Sequence, residues 1–194
     1  MQKIFQSKKK NSGFTLVETL IAVSIFSVSI LALMVVLSQG ISDTTYAKQK
    51  IIAAYLAQEG IEYLRSMRDT YVLYNISGQA GWNAFNNKIT ETGADCDEAN
   101  GCYFNDQNLN FNDQTGPITD LPLFACTSGC ATLLYDETSG KYGYALGENS
   151  GYVRKIQVSQ INANETKISS TISWTQGSGA YQITFSESLF NWIQ

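Results

Sequence analysis

One carboxylate stands apart in the first forty residues. Glu18 is the only charged residue between Phe14 and Ser42, and the 24 residues 19–42 that follow it carry no charge. An ionisable group inside an apolar helix costs a few kcal/mol near the centre of a membrane and less near its surface. Its presence points to a use, such as meeting a cation inside an apolar assembly. Cys96, Cys102, Cys126 and Cys130 are the second set able to do chemistry. The chain has no histidine, which removes Ser-His-Asp and Cys-His catalysis and every zinc site that needs imidazole. The carboxylates are scattered along loops. A paired-carboxylate hydrolase would require two of them buried and facing each other in a deep cleft. No catalytic residue, cofactor or metal site is assigned, and the chain is not expected to be an enzyme.

The element that carries Glu18 is apolar on all sides. TLIAVSIFSVSILALMVVL has no polar face, and about 20 such residues cross a hydrocarbon core at roughly 1.5 Å each. Lys3, Lys8, Lys9 and Lys10 precede it with no acid among residues 1–13, whereas the remainder carries 9 basic and 17 acidic side chains. The basic leader predicts a cytoplasmic N-terminus and an extracytoplasmic body. The acidic body has the wrong sign for nucleic acid, so no nucleic-acid partner is predicted for it. A secretory signal peptide would have a shorter apolar run and a small-residue exit. A plain signal anchor fits the run but leaves Glu18 without a purpose.

KKKNSGFTLVETLIAV, residues 8–23, closely resembles the class III signal of type IV prepilins and pseudopilins. The resemblance implies that prepilin peptidase cuts after Gly13 and methylates the new N-terminus at Phe14. It places Glu18 at the family's characteristic fifth position after the cut. Gly13, lacking Cβ, lets an extended backbone enter a peptidase cleft. Cleavage removes the leader lysines and creates an ammonium on Phe14, which Glu18 of a neighbouring subunit would attract inside an apolar filament core. The other reading of Glu18 is a side chain that snorkels to the lipid headgroups. The implied partners are other pilin subunits, prepilin peptidase, an inner-membrane assembly platform, and membrane lipid before assembly. The implied location is a single-pass cytoplasmic membrane protein that later joins a cell-surface filament.

Helical spacing continues beyond the apolar run. Ala53, Leu56, Ala57, Gly60, Leu64, Met67 and Tyr71 recur every three or four residues and form a core stripe. Glu62 with Arg65, and Arg65 with Asp69, are spaced to pair on the wet side. One helix is expected from Phe14 to Arg68, on the order of 80 Å long. The family often has a proline midway along this helix; here Gly40 is the only weak point in the first half. The domain boundaries are a leader at 1–13, a helical region at 14–71 (membrane or filament core over 14–42), and an extracytoplasmic globular domain at 72–194.

Residues 72–141 are rich in Gly, Asn, Asp, Ser and Thr with scattered aromatics, and their periodicity is weak. An even cysteine count outside the membrane suggests disulfides, and four cysteines allow three connectivities. The short pairings Cys96–Cys102 and Cys126–Cys130 are favoured over a four-cysteine zinc site, whose usual two-residue spacing is missing. DCDEANG at 95–101 and DQNLNFND at 106–113 alternate oxygen ligands but fit no EF-hand loop. Solvated polar loops describe them as well. Asn75-Ile-Ser77 and Asn164-Glu-Thr166 match the N-glycosylation pattern, a frequent triplet that the implied bacterial host makes less telling.

Strand patterns return after Tyr142. Residues 142–146, 152–160, 166–175 and 181–189 are predicted strands, with Ile168, Ser170, Ile172 and Trp174 on one face and Tyr181, Ile183 and Phe185 on another strand's face. Turns at 147–151, 162–164 and 177–179 predict an antiparallel meander. The fold class is therefore α+β and pilin-like: a long N-terminal α-helix packed on a C-terminal antiparallel β-sheet. The apolar tail 189–193 is expected to pack on the core or to contact a neighbour. The function that follows is a structural subunit, minor pilin-like, of a type IV pilus. The alternatives are a pseudopilin of type II secretion or DNA uptake, and a membrane-anchored binding module.

Overall fold

The computed structural model describes residues 13–105 and 121–192. The leader lysines, the loop at 106–113 and Ile193 lie outside them. The chain divides into two compact units with the boundary between Tyr46 and Ala47. Helix α1, Leu16–Tyr74, contributes to both. The expected long helix is present, beginning two residues later and ending six residues beyond Arg68, and it runs through Gly40 without a break.

In the first unit every described residue of the helix up to Thr45 is exposed. Its hydroxyl side chains bond to their own backbone: Ser24 Oγ donates to Ile21 O (2.8 Å), Ser27 Oγ to Val23 O (2.8 Å) and Ser29 Oγ to Ile25 O (2.8 Å). Hydroxyls satisfied in this way do not carry open donors into an apolar surrounding. By length and composition α1 is able to cross a membrane.

In the second unit, α1 buries Ala53, Leu56, Ala57, Gly60, Leu64 and Met67, the stripe expected from spacing. A Cβ on Gly60 would collide with Ser170 Oγ and with Ile156 Cδ1, so glycine lets the helix backbone approach the sheet closely. A second helix, α2 (Gly78–Thr90), was not foreseen. It is capped by Ser77, whose side chain accepts from Ala80 N, and it buries Trp82, Phe85 and Ile89.

Among the described residues the sheet has seven strands: β1 (Cys102–Phe104), β2 (Leu123–Ala125), β3 (Thr132–Asp136), β4 (Lys141–Gly143), β5 (Glu148–Asn162), β6 (Glu165–Gln176) and β7 (Gly179–Phe190). Strands β5, β6 and β7 form the expected meander, with Ile156 opposite Ser170 and Ile172 opposite Ile183. The expected neighbourhood of β4 and β5 is corrected. β3 lies between them, paired with both, and β1 also pairs with β5 and with β2. Residues 148–151, expected as a turn, open strand β5 instead, with Gly151 at φ 77°. Inward residues Tyr152, Arg154, Ile156 and Val158 alternate with outward Val153, Lys155 and Gln157, as a sheet with one covered face requires.

Candidate functional site

The N-terminal candidates sit on the first turn of α1. Thr15 precedes the helix, and its Oγ1 accepts the backbone N–H of Glu18 at 3.2 Å. Thr15-Leu-Val-Glu18 has the spacing of a capping box. Sequence reasoning passed over this cap, although the Thr-x-x-Glu pattern carries it. The negative charge of Glu18 also lies in the first turn, where the helix dipole favours an anion. Gly13 precedes the helix, with open space where a side chain would begin. Phe14 is 78% exposed. Gly13, Phe14 and Glu18 thus fall within six residues, the bond after Gly13 lying before the helix and Glu18 inside it.

The cysteines form a second cluster. Cys96 is bonded to Cys102 and Cys126 to Cys130, so none of the four is a free thiol. Cys126 N donates to Gly101 O (2.9 Å), and Asn100 Nδ2 donates to Thr127 O (3.3 Å). These bonds tie the two disulfide loops to each other. Val158 N donates to Cys96 O (2.9 Å) and Cys102 pairs with Ile156, so the Cys96–Cys102 loop is fastened to β5 and the Cys126–Cys130 loop is held through it. Of the two calcium candidates only 95–101 falls among the described residues. Asp95 Oδ2 accepts from Gly93 N (3.1 Å), and among the described residues no group of three metal-capable side chains converges. The glycosylation triplets have local roles: Asn75 Nδ2 donates to Tyr71 O (2.7 Å), and Asn164 O accepts from Asn191 N (2.9 Å). In the tail, Leu189 is buried, whereas Phe190 and Trp192 are exposed.

Arg154 is the charged residue the sequence reading missed. It is 1% exposed, and its Nη1 donates to Glu59 Oε2 on α1 at 2.6 Å. Its guanidinium lies 3.8 Å from the centroid of the Phe104 ring, which stacks on Tyr63 at 3.8 Å. The signal was available: position 154 falls on the inward phase of Tyr152, Ile156 and Val158. Burial disfavours an unpaired cation, so Glu59 and the ring face hold it, joining α1, β1 and β5. Among the described residues no Asp or Glu is buried.

One family model matches, the prokaryotic N-terminal methylation motif, over residues 8–37. The match takes in Gly13, Phe14 and Glu18 and supports the type IV pilin and pseudopilin family. It supports a substrate of prepilin peptidase of structural, pilin-like type, held by a single apolar helix. Comparison with curated proteins and with solved structures gave no match.

Proposed function

We propose that this chain is the precursor of a minor pilin-like subunit of a type IV pilus. The observation that carries the reading is Glu18, alone in its charge-free surroundings and fifth after Gly13, inside the matched motif. Residues 1–13 are a leader, residues 14–42 cross the membrane, and the body from residue 72 lies outside the cytoplasm. The peptidase cuts between Gly13 and Phe14 and methylates Phe14. The subunit then leaves the membrane for a surface filament through the assembly platform. There Glu18 meets the Phe14 ammonium of a neighbour in a low-dielectric core, where an unpaired carboxylate is costly. The two disulfides brace the extracytoplasmic loops against β5.

The test is Glu18→Val. A plain anchor should insert as well or better without the carboxylate. A pilin-like subunit should insert and be cleaved, then reach filaments at a small fraction of the wild-type level. The measurement is the ratio of filament-associated to membrane-retained protein at matched expression. Equal ratios would remove the assembly role.

A further inference from the structure

Strand β7 closes one side of the sheet and is open along its own outer side. Among the described residues it pairs with β6 alone. Asn191 N donates to Asn164 O at 2.9 Å, and the backbone groups of successive residues point to opposite sides of a strand. In this register the odd-numbered residues of β7 address β6. The even-numbered ones, Ala180 to Ser188, turn N–H and C=O to the open side. Phe190 O, next in that series, accepts from Arg68 Nη1 (3.4 Å). Sheets protect such edges with short strands, lysine, proline or bulges. β2 and β4, which end the sheet elsewhere, have three residues each, and β4 carries an exposed Lys141. β7 has none of these devices. It runs 12 residues without proline, and its pairing with β6 has no register shift. Its one charge, Glu187, lies on the inward phase and is held by Arg65 Nη2. Beside the edge a groove of about 360 Å³ lies between Gln58, Ile61 and Glu62 of α1 and residues 184–187 of β7.

We infer that the occupant of this edge is β7 of a second copy of the chain, paired antiparallel about a two-fold axis at Thr184. Self-complementarity carries the choice. Centred there, the open backbone groups of residues 180, 182, 184, 186 and 188 meet those of 188, 186, 184, 182 and 180 in the second copy, so the whole run is paired. Residues directly opposite share a face. On the outer face Thr184 meets its counterpart, Gln182 meets Ser186 and Ala180 meets Ser188. This extends the hydroxyl rows already formed between β6 and β7, Thr171 Oγ1 with Thr184 Oγ1 (2.9 Å) and Ser169 Oγ with Ser186 Oγ (2.9 Å). On the inner face Ile183 meets Phe185, a β-branched residue against an aromatic ring, and Glu187 meets Tyr181, so no like charges are opposed. Centring on Phe185 would set Ile183 against Glu187. The helices leave room. α1 packs over β6, where Gly60 faces Ser170. β6 and its counterpart stand three strand spacings apart, about 14 Å, wider than a helix of about 10–12 Å. The pairing goes beyond the pilus reading and uses none of Gly13, Phe14 and Glu18, so the two stand or fall separately.

The test uses the full chain in detergent micelles, with mass read by light scattering over a range of concentrations. All four native cysteines are in disulfides, so an added thiol is the only free one. Thr184→Cys should form a covalent dimer on mild oxidation, because the paired Cα atoms lie about 5.5 Å apart, within disulfide reach. Ala180→Cys and Ser188→Cys should cross-link when mixed, and neither alone. Gln182→Lys with Ser186→Lys should lower the dimer fraction several-fold by opposing like charges. Gln182→Lys with Ser186→Glu should restore it, since each new lysine then faces a new glutamate. Gln182 and Ser186 are exposed, and unchanged circular dichroism checks that both variants fold. A chain that stays monomeric, a dimer in which Thr184→Cys does not cross-link, or a dimer indifferent to the charges at 182 and 186 would overturn the pairing. Protection of residues 180–188 from amide exchange only when other filament subunits are added would assign the edge to a different chain and overturn it as well.

Discussion

Glu18 has two possible employments, one local and one between subunits, and substitutions separate them. If its work were to support the first helical turn, Thr15→Ala would mimic Glu18→Val, since Thr15 Oγ1 is the cap that accepts Glu18 N. Losing such a cap costs about 1 kcal/mol of helix stability. The account predicts instead that Thr15→Ala still enters filaments and that Glu18→Gln, which keeps the shape but not the charge, does not. Filament-to-membrane ratios for the two variants check this. A different residue-scale prediction concerns Arg154. Glu59→Leu leaves its guanidinium buried and should cost about 3 kcal/mol, whereas Arg154→Met removes the charge, leaves a part-exposed Glu59 within reach of water, and should cost about 1 kcal/mol. Arg154 Nε makes no hydrogen bond, which helps an apolar replacement. Urea unfolding of the detergent-solubilised chain measures both.

Among the elements, the disulfide loops should pin locally. The bridges join residues six and four apart, and loops this short restrict the unfolded chain by only about 2 kcal/mol each. Cys126→Ser with Cys130→Ser should lower stability by about that amount. Cys96→Ser with Cys102→Ser should lower it by more, because both positions are fully buried and the new hydroxyls would need partners. Shifts in urea midpoint check the order. The elements easiest to read from sequence were those with one buried face. The stripe from Ala53 to Met67 and the alternation of β6 and β7 follow from burial, and even Ser170 on the inward phase is explained by Gly60 above it. Elements with weak propensity were missed. GQAGWNAFNNKIT contains two glycines and three asparagines, poor helix formers, yet Ser77 and the Trp82–Phe85–Ile89 spacing marked it. β1 and β2, three residues each, are too short for alternation to show. The start of β5 was read as a turn because of its glycines; the Gly151 conformation and the shifted β3–β5 register reveal a bulge instead. The proposed site residues Gly13, Phe14 and Glu18 stand out in sequence because they lie within one short motif, while the Glu59–Arg154 link joins residues 95 apart.

At the scale of the whole molecule, alkali should loosen the second unit before it loosens an ordinary domain of similar size. Burial pushes the Tyr152 phenol up from 10.0 to about 12, with Tyr142 adding to the rise. Tyr142 and Tyr144 are also raised, mainly by burial. The folded state therefore holds these protons more tightly than the unfolded chain. The associated stability is complete below about pH 10 and is lost as pH rises through 12. Tyr152→Phe should flatten that part of the stability–pH curve, as followed by denaturant midpoints between pH 8 and 12. The central claim concerns the fate of the entire chain, and one measurement addresses it: intact mass and N-terminal peptide analysis of the protein from filaments of its own host. The account predicts a chain beginning with N-methylated Phe14, and a Gly13→Val variant that stays uncut in the membrane. Assembled material beginning at Met1, with residues 1–13 still attached, would contradict it.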